Sequence, residues 1–330
     1  LGDDFILNNQ LLKRSEPLPS FSQISDICDS YGIGNLIKIV RQIEDTANVN
    51  IEIIAQTGKY VIKIFTCDSK RFDFILDILG KLRVNKLPVL MPLKNKSGSY
   101  FLKIGPKILQ ITKFVYGYPF NYSVKQTMSS GKMLHKFHDT LSYTGSFIKP
   151  IASLYPSTDT LQNGINRLKN MDGEIPGKQI DSILGLYDET VGKWETCKPD
   201  LPETIIHGDW NQDNLIFSKS EEVCFIMDFE FITKAERLFD IAYALWRLNI
   251  NQGHMDAARA FMEGYGTLSY EEIQYLPLEI CRISYYYICT SALSLNPKNE
   301  LTNHFKSHYP FIKWVLSNNG QKIIRDLCKQ

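Results

Sequence analysis

The stretch Ile205–Glu230 constrains this chain more than any other. It holds two short apolar runs around a polar turn, I-I-H-G-D-W-N-Q-D-N-L-I-F at Ile205–Phe217 and C-F-I-M-D-F-E at Cys224–Glu230. Runs this short, bounded by polar residues, read as strands around a turn. Three acidic or amide groups, Asp209, Asn214 and Asp228, each sit beside an apolar segment that can hold them rigidly.

Their spacing carries chemistry. His207, Asp209 and Asn214 follow H-x-D-x-x-x-x-N. In a kinase catalytic loop of that spacing, the Asp accepts a hydroxyl proton and the Asn binds magnesium. Asp228 opens D-F-E, close to D-F-G, where a carboxylate holds a metal that bridges nucleotide phosphates. The plain alternative is a polar hairpin with Asp209 and Asn214 solvated and Asp228 ending a strand.

The rest of the chain must supply a scaffold and a phosphate-side partner. With 330 residues, 44% of them hydrophobic and 22% charged, it predicts one large domain or two lobes. A net charge of +1 with no basic block indicates no nucleic-acid groove. The seven cysteines (28, 67, 197, 224, 281, 289 and 328) are scattered, with no C-x-x-C pair, which predicts reduced thiols and a cytoplasmic setting. The sequence opens at Leu1 without a signal-like stretch, and no apolar run of 18 residues predicts a membrane partner.

In chain order, 1–20 reads as an extension and Phe21–Tyr31 as a helix with Ser20 or Ser22 as cap. Strands are predicted over Leu36–Gln42, Val49–Ala55 and Tyr60–Phe65 from their β-branched runs. Lys63 lies inside the third, where its charge needs a partner or an anion; an edge-strand surface lysine is the alternative. The repeat of Phe72, Ile75, Leu76, Leu79 and Leu82 predicts a helix over Lys70–Arg83, offering Asp73 and Asp77 as acids that either could face Lys63. Val89–Leu93, Tyr100–Ile104 and Lys107–Val115 read as further strands, leading into Tyr116-Gly117-Tyr118-Pro119 as a crossing between lobes.

From Val124 onward the period becomes helical. Met128, Met133, Leu134, Phe137 and Leu141 mark a helix with His135 and His138 near its end in structural roles. Helices follow around Thr160–Leu168, Ile180–Trp194, Asp240–Leu248, His254–Tyr265, Tyr270–Leu293, Thr302–Val315 and Gly320–Cys328, with Pro277 dividing or kinking the long one. Phe231–Phe239 is a short polar connection, with no long activation segment.

These residues carry a family likeness. Ile205–Phe217, Ile226–Glu230, L-F-D-I-A at 238–242 and Y-V-I-K-I-F at 60–65, with weaker support from K-L-P-V-L-M-P-L at 86–93 and L-H-K-F-H at 134–138, resemble the aminoglycoside phosphotransferase, choline kinase and type II homoserine kinase superfamily over about residues 20–315. The resemblance implies an α+β, bilobal protein-kinase-like fold with a small antiparallel-sheet N-lobe and a larger helical C-lobe. Residues 1–115 would form the nucleotide-binding lobe with its extension, and 116–330 the helical lobe with catalytic loop and acceptor site. It implies Asp209 as the catalytic group, Asn214 and Asp228 as magnesium ligands, Lys63 on the phosphates, His207 bracing the loop and Asp240 anchoring it. ATP and Mg2+ are the implied cofactors. Backbone amides at Thr46 and Ala47 would approach the phosphates, and the backbone of Lys113, Phe114 and Val115 would meet the adenine.

The family's H-G-D-x-H-P-x-N becomes H-G-D-W-N-Q-D-N, with Asn211 and Gln212 in place of His-Pro and Asp213 as an added acid. The turn at 44–48 lacks glycine, and the lysine-partner acid stays open between Asp73 and Asp77. The expected activity is phosphorylation of a hydroxyl on a small, amine-bearing or polyhydroxylated antibiotic or metabolite. Homoserine, a choline-like alcohol or a sugar are alternative acceptors, and a non-catalytic nucleotide-binding scaffold is a rival reading. Trp210, Glu230, Tyr265, Glu271, Glu272, Tyr285 and Tyr286 are candidate acceptor contacts, with a core role equally open for each tyrosine.

Overall fold

The β-branched runs of the N-terminal part pair into one antiparallel sheet. In the computed structural model, which describes residues 19–44, 48–142, 147–150, 153–171, 176–197, 200–250, 253–294 and 296–329, strands β1 (Leu36–Glu44), β2 (Val49–Ala55), β3 (Gly58–Thr66), β4 (Leu102–Ile104) and β5 (Lys107–Lys113) lie in the order β1-β2-β3-β5-β4. Period-two alternation gives β3 two faces. Ile62 and Ile64 turn into a small core with Ile24, Ile27, Ile51, Ile53 and Ile111, closed by helix α1 (Phe21–Ser30). Ser20 caps α1 through a reciprocal bond with Gln23. Lys63 and Phe65 fall on the opposite face, and Phe65 packs on Phe72 of helix α2 (Ser69–Val84) at 6.2 Å between ring centroids.

That second face does not close a separate core. Phe65, Phe72, Ile75, Leu82 and Ile108 belong to the same apolar cluster as the helical part. Val89, expected in a strand, makes only an isolated bridge to Ile226. The crossing after β5 is stitched to the catalytic stretch by paired bonds, Tyr118 N to Phe217 O at 2.8 Å and Phe217 N to Tyr118 O at 2.9 Å. At Gly117 an added Cβ would overlap the Ile216 side chain and the Phe217 carbonyl, so only glycine fits that approach.

The helical part comprises α3 (Val124–Thr140), α4 (Thr158–Lys169), α5 (Gly177–Tyr187), a π turn Asp188–Gly192, α6 (Lys193–Cys197), α7 (Leu238–Arg247), α8 (Met255–Tyr265), α9 (Tyr270–Ser291), α10 (Pro297–Leu316) and α11 (Asn318–Leu327). Pro277 sits inside α9 without dividing it. Helices α3 and α8 meet backbone to backbone: a Cβ on Gly131 would strike the Phe261 carbonyl, and one on Gly264 the Met128 carbonyl. The segment 231–239, expected as a bare connection, contains strand β9 (Thr233–Glu236), which pairs antiparallel with β6 (Glu203–Ile206). No helix among the described residues is long and apolar enough to cross a membrane.

Candidate active site

Local sequence explains the loop. Strand β6 delivers His207, and Gly208 turns the chain at φ +80°, where a Cβ would collide with the Phe231 carbonyl. Buried Asp240 on the first turn of α7 accepts the backbone N–H of His207 (2.7 Å) and of Gly208 (2.9 Å), and its Oδ2 lies 3.0 Å from His138 Nε2. The other His138 nitrogen is 3.0 Å from the Tyr265 hydroxyl. His207 Nε2 sits 2.9 Å from the Met227 carbonyl, tying the loop to the residue before Asp228. A 3-10 turn, Gln212–Asn214, then leads into the hairpin of β7 (Leu215–Phe217) and β8 (Val223–Ile226), and the Met227 N–H returns to the Asn214 carbonyl at 2.9 Å. Asn214 and the D-F-E segment are thereby neighbours.

Asp209 is half-buried between amides. Asn211 Nδ2 donates to its Oδ1 at 2.8 Å, and Asn214 Nδ2 to its Oδ2 at 2.8 Å. The Asn211 Oδ1 in turn accepts the Asp213 N–H at 2.8 Å, capping the 3-10 turn. Burial pushes the Asp209 carboxyl above the usual range, against the pull of His207, the two asparagines and the Tyr243 hydroxyl.

Lys63 reaches this centre from the sheet. Its ammonium donates to Asp228 Oδ1 at 2.8 Å and also pairs with Glu230. Burial works against the ammonium, but the two carboxylates outweigh it and hold its pKa above the ordinary lysine value. Burial likewise works against the charged Asp228, and Lys63 reverses this, leaving Asp228 below the usual carboxylate range. Glu230 is raised, by burial first and by repulsion from Asp228, despite Lys63. Asp228 also adopts a left-handed backbone, φ 62°, a conformation costing a non-glycine residue roughly 1–2 kcal/mol.

The lysine-partner acid is neither of the two residues considered from sequence. Asp73 is exposed, and Asp77 pairs with Lys81 one turn on, at 2.7 Å. Both lie on the solvent face of α2, while its inner face offers Arg71. The buried Arg71 guanidinium donates to the carbonyls of Ile148 (2.5 Å), Glu230 (2.9 Å) and Ile232 (2.5 Å). Glu230 thus takes the ion pair, held also by Asn48 Nδ2 at 3.0 and 3.1 Å.

Thr46 and Ala47 lie outside the described residues. Of the stretch 113–115, Lys113 pairs opposite Tyr60 in the sheet and the Phe114 N–H is already given to the Lys59 carbonyl at 2.9 Å, so that amide is not available to a base. Several of the acceptor contacts considered from sequence are core residues. Trp210 is buried with its Nε1 on Ser130 Oγ (3.1 Å), Tyr285 donates to the Ile183 carbonyl (3.0 Å), Tyr286 to the Ser153 carbonyl (2.7 Å), and Glu272 is locked by Arg237 (2.7 and 2.8 Å). Tyr265 is likewise buried on His138, and Glu271 is exposed. Sequence reading missed Asn211 as a partner of Asp209, and Arg71 and Tyr243 altogether. An arginine among the apolar positions of α2 was the available signal for Arg71.

Among the described residues no group of three or more His, Cys, Asp or Glu side chains could hold a metal unaided. One carboxylate and one amide oxygen, from Asp228 and Asn214, do suit a hard cation whose other ligands are phosphate oxygens and water.

A family profile described as "Phosphotransferase enzyme family" matches residues 130–276. The chain is 23% identical over 254 residues to a homoserine kinase of Zymomonas mobilis subsp. mobilis, covering 74% of this chain and 77% of that one. It is 24% identical over 279 residues to a homoserine kinase of a Bradyrhizobium strain, covering 78% and 80%. Among solved structures it is similar to an amicoumacin kinase in complex with AMP-PNP, Ca2+ and Ami (TM-score 0.66, 16% identity, 87% and 93% covered). It is also similar to a spectinomycin phosphotransferase in complex with ADP and spectinomycin (TM-score 0.65, 16% identity, 94% and 100% covered).

Proposed function

We propose that this chain, which is similar to the aminoglycoside phosphotransferase, choline kinase and homoserine kinase-like superfamily and shares its bilobal protein-kinase-like fold, transfers the γ-phosphoryl group of ATP to a hydroxyl of a small molecule, with Asp209 as the group that orients and deprotonates that hydroxyl. The observation that carries this reading is the convergence of Lys63, Asp228 and Asn214 on the centre that holds Asp209. The same geometry supports a nucleotide-binding lobe of 1–115 and an acceptor-binding lobe of 116–330.

In this mechanism Lys63 holds phosphate oxygens and offsets their charge. Asp228 and Asn214 would hold Mg2+, which when bound supplies charge neutralisation between phosphates. The acceptor hydroxyl forms its bond to the γ-phosphorus as the bond to the ADP oxygen breaks, and its proton passes to the Asp209 carboxylate. Asn211 and Asn214 keep that carboxylate pointed at the acceptor, so most of the rate comes from positioning and fixed charge. His207 and Asp240 act through the loop backbone. The backbone of Lys113 and Val115 remains the edge for the adenine, and the chain next to Asn48, at Thr46 and Ala47, the cover of the phosphates. A cytoplasmic site of action is part of the proposal; the described cysteines, such as Cys28, Cys281 and Cys289, are free thiols.

The acceptor is a small polyhydroxylated or amine-bearing metabolite or antibiotic. Homoserine is the favoured specific alternative, since curated homoserine kinases match more than 70% of the chain. The test is ADP release over an acceptor panel with wild type and Asp209→Asn. Turnover should fall by ~10^3-fold or more in the variant while ATP affinity, measured by calorimetry, survives. Near-wild-type turnover in Asp209→Asn would remove Asp209 from the chemistry. Tight Mg–ATP binding without transfer to any acceptor would favour the scaffold reading.

A further inference from the structure

Helical spacing places three pairs of side chains, five of them rings, on neighbouring helix faces. Tyr243 and Trp246 are three residues apart on α7, Ser284 and Tyr287 three apart on α9, and His304 and His308 four apart on α10. Packing brings these faces together. Trp246 Nε1 donates to Ser284 Oγ at 2.8 Å and lays the indole on Tyr287, 5.0 Å between centroids and 11° from parallel. The His308 ring stacks on both, at 5.7 Å from each, and on His304 at 5.3 Å and 7°. The row begins near the reacting centre: Tyr243, whose hydroxyl pulls on the Asp209 carboxyl, lies with that hydroxyl 3.2 Å from the Tyr287 hydroxyl. Trp246, Tyr287, His304 and His308 are all partly exposed, unlike the closed core rings of Trp194 and Tyr285.

We propose that Trp246, Tyr287, His304 and His308 form the acceptor-binding surface and that it takes a neutral, polyhydroxylated ring of the hexose or cyclitol class; the proposal rests on the phosphotransferase reading above. An outer face of the stack fits the C–H face of such a ring. The imidazoles supply its hydroxyl partners. Burial, then the neighbouring His304, lowers the His308 pKa to about 4, and burial lowers His304 in the same direction against the pull of Glu300, so both rings are neutral near pH 7. His304 Nδ1 and His308 Nε2 are 3.2 Å apart and share one hydrogen. Whichever ring donates it, the remaining nitrogens, His304 Nε2 and His308 Nδ1, are one donor and one acceptor. That pair matches two hydroxyls of one sugar or cyclitol. Two carboxylates that could draw a cation are already partnered: Arg247 holds Asp213 at 2.7 Å, and Asp209 accepts from Asn211 and Asn214.

The experiment is steady-state phosphate transfer from Mg–ATP to free hexoses and inositols, with homoserine, choline and an aminoglycoside as charged comparators. The best neutral ring should exceed every charged comparator by at least about tenfold in kcat/KM. Trp246→Ala and His308→Ala should each raise the KM for that acceptor by about tenfold while the KM for ATP moves less than about twofold. His304→Ala at the outer end keeps the test readable should Trp246→Ala not fold, and His308→Gln should recover part of the loss. Preference for a charged acceptor, no transfer to any neutral ring, or an unchanged acceptor KM in the variants overturns the assignment. Calorimetric Mg–ATP binding and the Asp209→Asn comparison then show whether the phosphotransferase reading falls with it.

Discussion

Asn211 stands where the superfamily's motif carries histidine, and it touches Asp209 directly. Its amide favours the ionised carboxylate, so removing it should push the already raised Asp209 pKa further up. Asn211→Ala is expected to lower kcat/KM by ~10-fold or more, the worth of one charge-assisted hydrogen bond. The acid limb of its kcat/KM profile should move to higher pH than in wild type. A loss of activity with an unmoved acid limb would make Asn211 a loop cap only. Lys63 permits a stability test at the same scale. Its folded pKa is raised, so its contribution is complete below the unfolded lysine value near ~10.4 and fades as pH rises through the folded value. Asp228, depressed, contributes above the unfolded value near ~3.9 and loses that contribution as pH falls through its folded value. Lys63→Met leaves Asp228 and Glu230 facing each other without a counterion. It should cost ~1–3 kcal/mol near pH 7, less than a fully buried pair because 30% of the Asp228 side chain is exposed. That cost should shrink towards acid pH as the two carboxyls protonate, read from urea unfolding at several pH values.

Helix packing sets the next scale. Gly131 on α3 and Gly264 on α8 let two helices touch backbone to backbone, with no room for a Cβ on either. Gly131→Val or Gly264→Val should destabilise by ~1–3 kcal/mol or more, since a rigid backbone cannot yield as a side chain would. The damage should spread to the site, because α3 supplies His138, which holds Asp240 and through it the loop amides. The measurements are a thermal midpoint and acceptor turnover; wild-type values for both would refute the close contact. The strands and most helices were legible because their period of burial is written in consecutive residues, as in Val49–Ala55, where expected and observed bounds coincide. Strand β9 was not, because T-K-A-E has no apolar alternation and becomes a strand only beside β6.

Across the whole molecule, Arg71 joins helix α2 of the sheet-bearing part to Ile148, Glu230 and Ile232 beyond the crossing. Lysine at that position keeps the charge but cannot aim a planar fork at three carbonyls. Arg71→Lys should therefore lower the thermal midpoint by several degrees, at roughly 2–4 °C per kcal/mol for a chain of ~150–250 residues and less for a longer one. Saturating Mg–ATP should restore part of that loss by binding only the folded form. An unchanged midpoint would show that the tether does not couple the parts. By itself the sequence determined which residues are candidates for the centre, since Asp209, Asn214 and Asp228 are set by spacing within one stretch of about 25 residues, and short-range spacing survives folding. Tertiary structure alone decided which distant groups complete that centre. Glu230 rather than Asp73 or Asp77 pairs with Lys63, Arg71 faces inward, and rings from three helices stack together. Such pairings join residues far apart in the chain, 165 positions in the case of Lys63 and Asp228. No periodicity links such residues. Only the packing of helices and sheet on one shared core brings them within contact distance.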